Sequence, residues 1–176
     1  YYTVLSNLLV VLFTGYLLLK MRSGGDSWQS PGILRLKGGV TMSIMITCVI
    51  YHFMLAPLTT DFYRLENFLC HYIVPLWFLA DTLLFDKRSQ YRWFDPIVWT
   101  SVPLIYLAFA LFNGLIIKWS IPGAKDSPFA YFFLNIPKYG WPYVLQWSLK
   151  IFIGYLLAGF LFYGVMSLSS RRKLSS

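Results

Sequence analysis

The side chains able to do chemistry in this chain are the few polar ones that interrupt its long apolar runs. Thr3 and Asn7 are four residues apart, as are Asn67 and His71, so each pair shares one face of a helix. Tyr51 and His52 come shortly before Pro57, and Ser6, Glu66 and Cys70 lie in the same stretches. Three chemistries are open to such a set. A hydroxyl beside an imidazole supports acyl transfer, because a neutral imidazole within about 2.6 to 3.2 Å can take the proton that makes a hydroxyl a weak nucleophile. Two histidines on adjacent antiparallel helices support axial ligation of a haem. A cluster of neutral polar groups supports ligand binding without turnover, as in a transporter, receptor or scaffold.

Each residue also has a plain structural use. Ser, Thr and Asn in membrane helices commonly hydrogen-bond between helices, and His52 and His71 lie close enough to a run's end to serve at the interface. Cys70 points about 100° away from His71 on a helix, which makes it a packing residue. Asp81 is expected to pair with a basic residue such as Lys37 or Arg92, and Lys150 either snorkels outward or reaches the polar cluster.

The elements that must position these residues are membrane helices. Of 176 residues 57% are hydrophobic and 20% aromatic, and only 12% are charged, against roughly 25% charge in a soluble domain; mean hydropathy is +0.58. A soluble enzyme, a disordered tail and a nucleic-acid module are excluded, so no nucleic acid is expected as partner. The net charge of +8 comes from Lys and Arg placed between the apolar runs, where they set topology. Two cysteines inside or beside apolar runs, Cys48 and Cys70, do not make a disulfide framework.

Five spans are expected, at about 1–19, 38–56, 65–85, 93–117 and 141–168, with a long break at 118–140, all in a single transmembrane domain over 1–176. The fold class is an all-α polytopic helix bundle. The chain opens on Tyr1 inside an apolar run, which suggests one more helix before it and six in the full protein. Pro103 is expected to kink the fourth span. Gly154, Ala158, Gly159 and Gly164 form a small-residue seam on the fifth. Lys20, Arg22, Arg35 and Lys37 follow span one, Lys87, Arg88 and Arg92 follow span three, and Arg171, Arg172 and Lys173 follow span five. By the positive-inside rule these breaks and the C-terminus are cytoplasmic, and the break with Asp61, Arg64 and Glu66 is outside. Alternation then brings Thr3, His52, Asn67 and His71 to one leaflet. The aromatic-rich break at 118–140 is either an interfacial belt or an apolar lid over that cluster.

The opening Tyr2-Thr3-Val4-Leu5-Ser6-Asn7-Leu8, the Leu55-Ala56-Pro57 that closes span two, and the run Asn67-Phe68-Leu69-Cys70-His71-Tyr72-Ile73-Val74-Pro75 resemble the bacterial relatives of the androgen-induced six-helix membrane hydrolases. The resemblance in spacing and hydropathy extends over most of the chain, and the recognisable motifs cover about a fifth of it. It implies an integral protein of the bacterial cell membrane that hydrolyses lipid esters, such as fatty acid esters of hydroxy fatty acids, with no cofactor and no metal. Thr3 takes the position of that family's nucleophilic threonine and His71 that of its base.

A membrane lipid is then the substrate, entering sideways from the outer half of the bilayer. Asn67 is a candidate to orient His71, and His52 stands in or beside the site. Asn7, Tyr51, Lys150 or a main-chain amide are candidates for stabilising the oxyanion. Ligand binding without catalysis and haem ligation by His52 and His71 remain the competing functions, and oligomeric state is not legible.

Overall fold

The computed structural model describes residues 1–22, 26–59 and 63–168. Asp61 and the basic tail Arg171, Arg172 and Lys173 lie outside the described residues. Within them the chain is helical without strands. Five helices are long and apolar enough to cross a membrane, so the protein is an integral membrane protein of the all-α class. They are α1 (Tyr2–Arg22), α2 (Pro31–Leu58), α3 (Leu65–Phe85), α4 (Asp95–Ile117) and α5 (Ile136–Leu168).

The boundaries differ from the hydropathy reading where charge misleads it. α2 starts at Pro31, seven residues before the expected Gly38, so Arg35 and Lys37 belong to the helix and not to a break. Ser30 is extended at φ −66° and ψ 148°, and Pro31 sits in the first turn, where its missing N–H leaves no bond unmade. The two cations are tolerated there because each has an acidic partner. α4 is interrupted at Thr100, where Pro103 cannot donate to the carbonyl of Trp99. α5 has a non-helical Gly140 (φ 80°, ψ 161°), a left-handed conformation suited to glycine, so its regular part begins at Trp141 as the apolar run indicates.

Two compact units divide the chain, Tyr1–Trp99 with the segment from Gly159 onward, and Thr100–Ala158. In the first, α2 packs against both α1 and α3. Val10 and Phe13 of α1, Val40 and Ile44 of α2, and Phe78 of α3 form the buried apolar contact, with Phe13 and Phe78 edge to face at 6.5 Å. Hydroxyl pairs tie the helices between these layers: Ser6 with Thr47 at 2.7 Å, and Thr41 with Thr82 at 3.0 Å. Gly38 and Gly39 let aromatic rings lie against the α2 backbone. A Cβ on Gly38 would come within 2.7 Å of both Trp99 and Tyr91. Tyr91, Trp99 and Phe162 pack mutually edge to face at 5.5 to 5.8 Å. In the small-residue seam, a Cβ on Gly159 would meet Pro96 at 3.1 Å, whereas Gly154 and Gly164 have nothing within 4 Å.

Charges gather at the Lys37 end of this unit. Lys37 Nζ lies 2.7 Å from Asp81 and 2.5 Å from Asp86, which makes Lys37 the partner expected for Asp81. Arg35 donates to both carboxylate oxygens of the buried Asp95 at 2.6 to 2.9 Å. Gln29 donates to the Phe85 carbonyl at 3.1 Å and accepts from the Lys87 amide at 3.0 Å. Burial pushes the Asp86 carboxyl above the usual carboxylate range, against the opposing pull of the Lys37 ammonium.

In the second unit the connection from α4 to α5 is folded on itself. Asn113 donates to the Trp119 and Pro128 carbonyls at 3.2 and 2.9 Å. Phe129 presses on Gly114, and its ring leaves no room there for a Cβ. Phe129, Tyr131 and Phe133 are buried, and the last two stack at 5.2 Å. Trp119 and Trp141 remain exposed. The aromatics thus serve two uses, Phe129, Tyr131 and Phe133 as the interior of the connection and Trp119, Tyr139 and Trp141 at its surface.

Candidate active site

At the Tyr2 end of the first unit, α1, α2 and α3 bring Thr3, Ser6, Asn7, Thr47, Tyr51, Asn67, Cys70 and His71 into one connected set. The main chain of Thr3 is held from two sides. Ser6 Oγ donates to the Thr3 carbonyl at 3.1 Å and Asn7 Nδ2 donates to it at 2.8 Å. The same Asn7 nitrogen donates to the Cys70 carbonyl of α3 at 3.2 Å. Both amide hydrogens of Asn7 are thereby engaged, and Asn7 fastens α1 to α3.

With those two helices joined, Thr3 Oγ1 lies 3.2 Å from His71 Nε2. The other ring nitrogen, Nδ1, lies 2.9 Å from the main-chain carbonyl of Asn67. A carbonyl can only accept, so Nδ1 carries the proton, and in the neutral imidazole Nε2 is left with a lone pair. The hydroxyl of Thr3 therefore donates to Nε2. Hydroxyl, imidazole and carbonyl form a relay in which the base is oriented through its far nitrogen, the arrangement by which a weak hydroxyl nucleophile is activated.

Local helix geometry serves this contact. From Leu69 to Ile73 the turn widens, and the Val74 amide donates to the Leu69 carbonyl five residues back. A second wide turn covers Tyr51–Leu55 in α2, where Ala56 donates to Tyr51. Such turns are uncommon in helices and often accompany functional sites. Here both polar segments of the cluster, Tyr51-His52 and Cys70-His71-Tyr72, fall inside them. Nothing in hydropathy or residue spacing announces a wide turn, so the sequence reading has no trace of them.

The Tyr51 ring stacks on the His71 ring with centroids 3.7 Å apart and planes 16° from parallel. Tyr51 is buried, at 4% exposure, and its hydroxyl has no hydrogen-bond partner among the described residues. Thr3, Asn67 and His71 are half-buried.

The supporting residues divide. Asn67 orients His71, but through its main chain and not through the amide side chain that the i, i+4 pattern suggests. His52 is exposed and its Nδ1 pairs with the Tyr72 hydroxyl at 3.1 Å, one position along from His71. Lys150 belongs to the second unit, where its ammonium lies over the Trp147 ring at 4.8 Å. For haem ligation, both nitrogens of His71 are engaged with Thr3 and Asn67, so an iron would have to displace one of them. Among the described residues no group of three or more His, Cys, Asp or Glu stands together to hold a metal ion. Cys48 and Cys70 are free thiols.

No protein-family model, no curated protein and no solved structure matches the chain.

Proposed function

We propose that the protein is a membrane hydrolase of lipid esters, such as fatty acid esters of hydroxy fatty acids, with Thr3 as nucleophile and His71 as base. The observation that carries this reading is the 3.2 Å approach of Thr3 Oγ1 to an imidazole nitrogen left unprotonated by its partner on the other side. Helix packing alone would be served by Asn7, which already bridges α1 and α3. A threonine aimed at the acceptor nitrogen of a half-buried histidine adds reactivity that packing does not need. The resemblance to the androgen-induced membrane hydrolases assigns the same two residues.

In the acylation step Thr3 Oγ1 attacks the ester carbonyl carbon while His71 Nε2 takes the hydroxyl proton. The tetrahedral adduct collapses, the imidazolium returns that proton to the departing alkoxide, and the acyl group stays on Thr3. A water, deprotonated by the same nitrogen, then attacks the acyl-threonine, and the imidazolium returns that proton to Thr3 Oγ1 as the fatty acid is released. The Asn67 carbonyl keeps Nδ1–H in place throughout and favours the imidazolium formed in each step.

On this reading the charge asymmetry puts Lys20, Lys87 and the C-terminus on the cytoplasmic side of a bacterial cell membrane. The Thr3–His71 pair then sits in the outer half, where a lipid reaches it laterally. Lys87→Cys, in a background with Cys48 and Cys70 replaced, should resist an impermeant thiol reagent added to intact cells. Labelling there would reverse the orientation.

The decisive test compares wild type with Thr3→Ala and His71→Ala by fatty acid released in detergent and in liposomes, with size-exclusion profiles checking the fold. Each variant should lose at least about 10³-fold in rate. Wild-type protein that binds such esters without cleaving them would make this a lipid-binding protein, and full activity in Thr3→Ala would reduce the threonine to a packing contact.

A further inference from the structure

We infer that the Tyr51 hydroxyl is the oxyanion donor of this site, an assignment that rests on the hydrolase reading and adds a third catalytic residue to it. Esters pass through a tetrahedral adduct whose former carbonyl oxygen becomes negative, and a donor already aimed at that oxygen lowers the barrier more than one that must be recruited from water. The donor has to be a polar hydrogen near the base and not already given to the protein.

Tyr51 meets those conditions on independent observations. Its ring lies face to face with the His71 imidazole, 3.7 Å between centroids, so the hydroxyl at its tip is carried over or just beyond the edge of the base. The hydroxyl is buried and has no partner among the described residues. Buried polar groups are nearly always hydrogen-bonded, and one left open calls for an explanation. A partner that exists only while substrate is reacting is such an explanation. Tyr51 also sits at the start of the wide turn of α2, which closes on its own carbonyl through the Ala56 amide. The backbone beneath the ring is therefore held while the hydroxyl stays free.

The side-chain competitors are engaged elsewhere. Asn7 gives both amide hydrogens to the Thr3 and Cys70 carbonyls. His52 turns Nδ1 to Tyr72, and Lys150 lies over Trp147 in the other unit. A phenol suits the task in an apolar setting, since it donates strongly while remaining neutral and brings no buried charge into the resting site.

The test is Tyr51→Phe, which keeps the stacked ring and removes one oxygen. It should lower kcat by about 10²-fold, with KM changed less than threefold and the thermal midpoint in detergent unchanged or raised, because the lost hydroxyl has no bond in the resting protein. A long-chain trifluoromethyl ketone, which adds Thr3 to form a stable oxyanion, should bind the variant more weakly by a similar factor. The matching methyl ketone, which stays unreacted, should bind both proteins alike. Full kcat and undiminished trifluoromethyl ketone affinity in Tyr51→Phe, with Thr3→Ala inactive, would overturn the assignment and leave the hydrolase reading standing with a main-chain amide as donor. Wild type that neither cleaves the ester nor forms the ketone adduct would overturn both. Should Tyr51→Phe aggregate, 3-fluorotyrosine at position 51 replaces it, and a pH–rate profile unmoved by the more acidic phenol would again overturn the assignment.

Discussion

Lys37 with Asp81 and Asp86 at one end of the first unit, and Thr3 with His71 at the other, are both polar clusters built between the same neighbouring helices, yet they use polarity in opposite ways. At the Lys37 end the groups are formal charges, with Lys37 within 2.7 Å of two carboxylates and Arg35 at 2.6 Å from Asp95. Those contacts hold α2 to the end of α3 and to the start of α4. At the Thr3 end the contacts between helices are neutral, an amide and two hydroxyls, while the Arg64–Glu66 ion pair beside Asn67 is exposed and joins residues of one segment; an unpaired atom occurs at each end, the Tyr51 hydroxyl on the stack against the base here and one Asp86 oxygen there. A cluster whose donors are matched by acceptors of opposite charge holds a fold together. A cluster of neutral groups with a proton poised between two of them and a donor in reserve has capacity for a reacting molecule.

The contrast can be broken by double substitution at the Thr3 end. Thr3→Ala and His71→Ala combined should cost no more activity than either alone, about 10³-fold or greater, since a nucleophile and its base act as a unit. Additive losses would mean that the two do not share a step. At the Lys37 end the expectation is loss of stability without loss of specific activity. Lys37→Met leaves buried Asp86 without its cation and should destabilise the protein by about 3 kcal/mol, read by unfolding in detergent with rising denaturant, while kcat of the folded fraction is kept.

Asp86→Asn should be milder, and it sets a sign. With its folded-state pKa raised by burial, Asp86 contributes stability that is present in full below the ordinary carboxylate value of about 4 and is lost as pH rises through the elevated one. Wild type should therefore lose ground relative to Asp86→Asn as pH is raised from 4 to 8, and the reverse trend in thermal midpoints would contradict the burial account. The smallest effect is expected from His52→Ala. It removes a contact to Tyr72 beside the pair and should lower the rate less than about tenfold, measured in the same fatty acid release assay.

Much of this arrangement is legible in the chain and some of it cannot be. Apolar run length yields all five spans, because crossing a bilayer demands about twenty residues whatever else the helix does. The convergence of Thr3 with His71 is foreseeable from topology and residue type, since alternation brings the start of span one and the start of span three to the same side. The beginning of α2 is not, because Arg35 and Lys37 read as loop residues until Asp95, Asp81 and Asp86 are known to face them. Asn67 illustrates a different limit. Spacing from His71 identifies the right position and the wrong atom, since the acceptor is a carbonyl that any residue there would supply. The unpaired hydroxyl of Tyr51 is invisible for a third reason: an orphan is defined by what does not surround it, and sequence lists neighbours only along the chain.

The wide turn at Leu69–Ile73 has a meaning beyond its closeness to the histidine. It takes one residue more than an α-turn, so everything beyond it is rotated by about 100° relative to a straight helix. Within the turn α3 meets α1 through the Cys70 carbonyl and His71, whose ring also lies on Tyr51 of α2; beyond it Phe78 packs on Phe13 of α1 while Asp81 and Thr82 bond to α2. The turn resets the phase with which one rod meets the same two neighbours along its length. Its setting is written in the number of residues and not in their kinds. Within that segment the chain can tolerate exchange of one apolar side chain for another far better than the gain or loss of a single position.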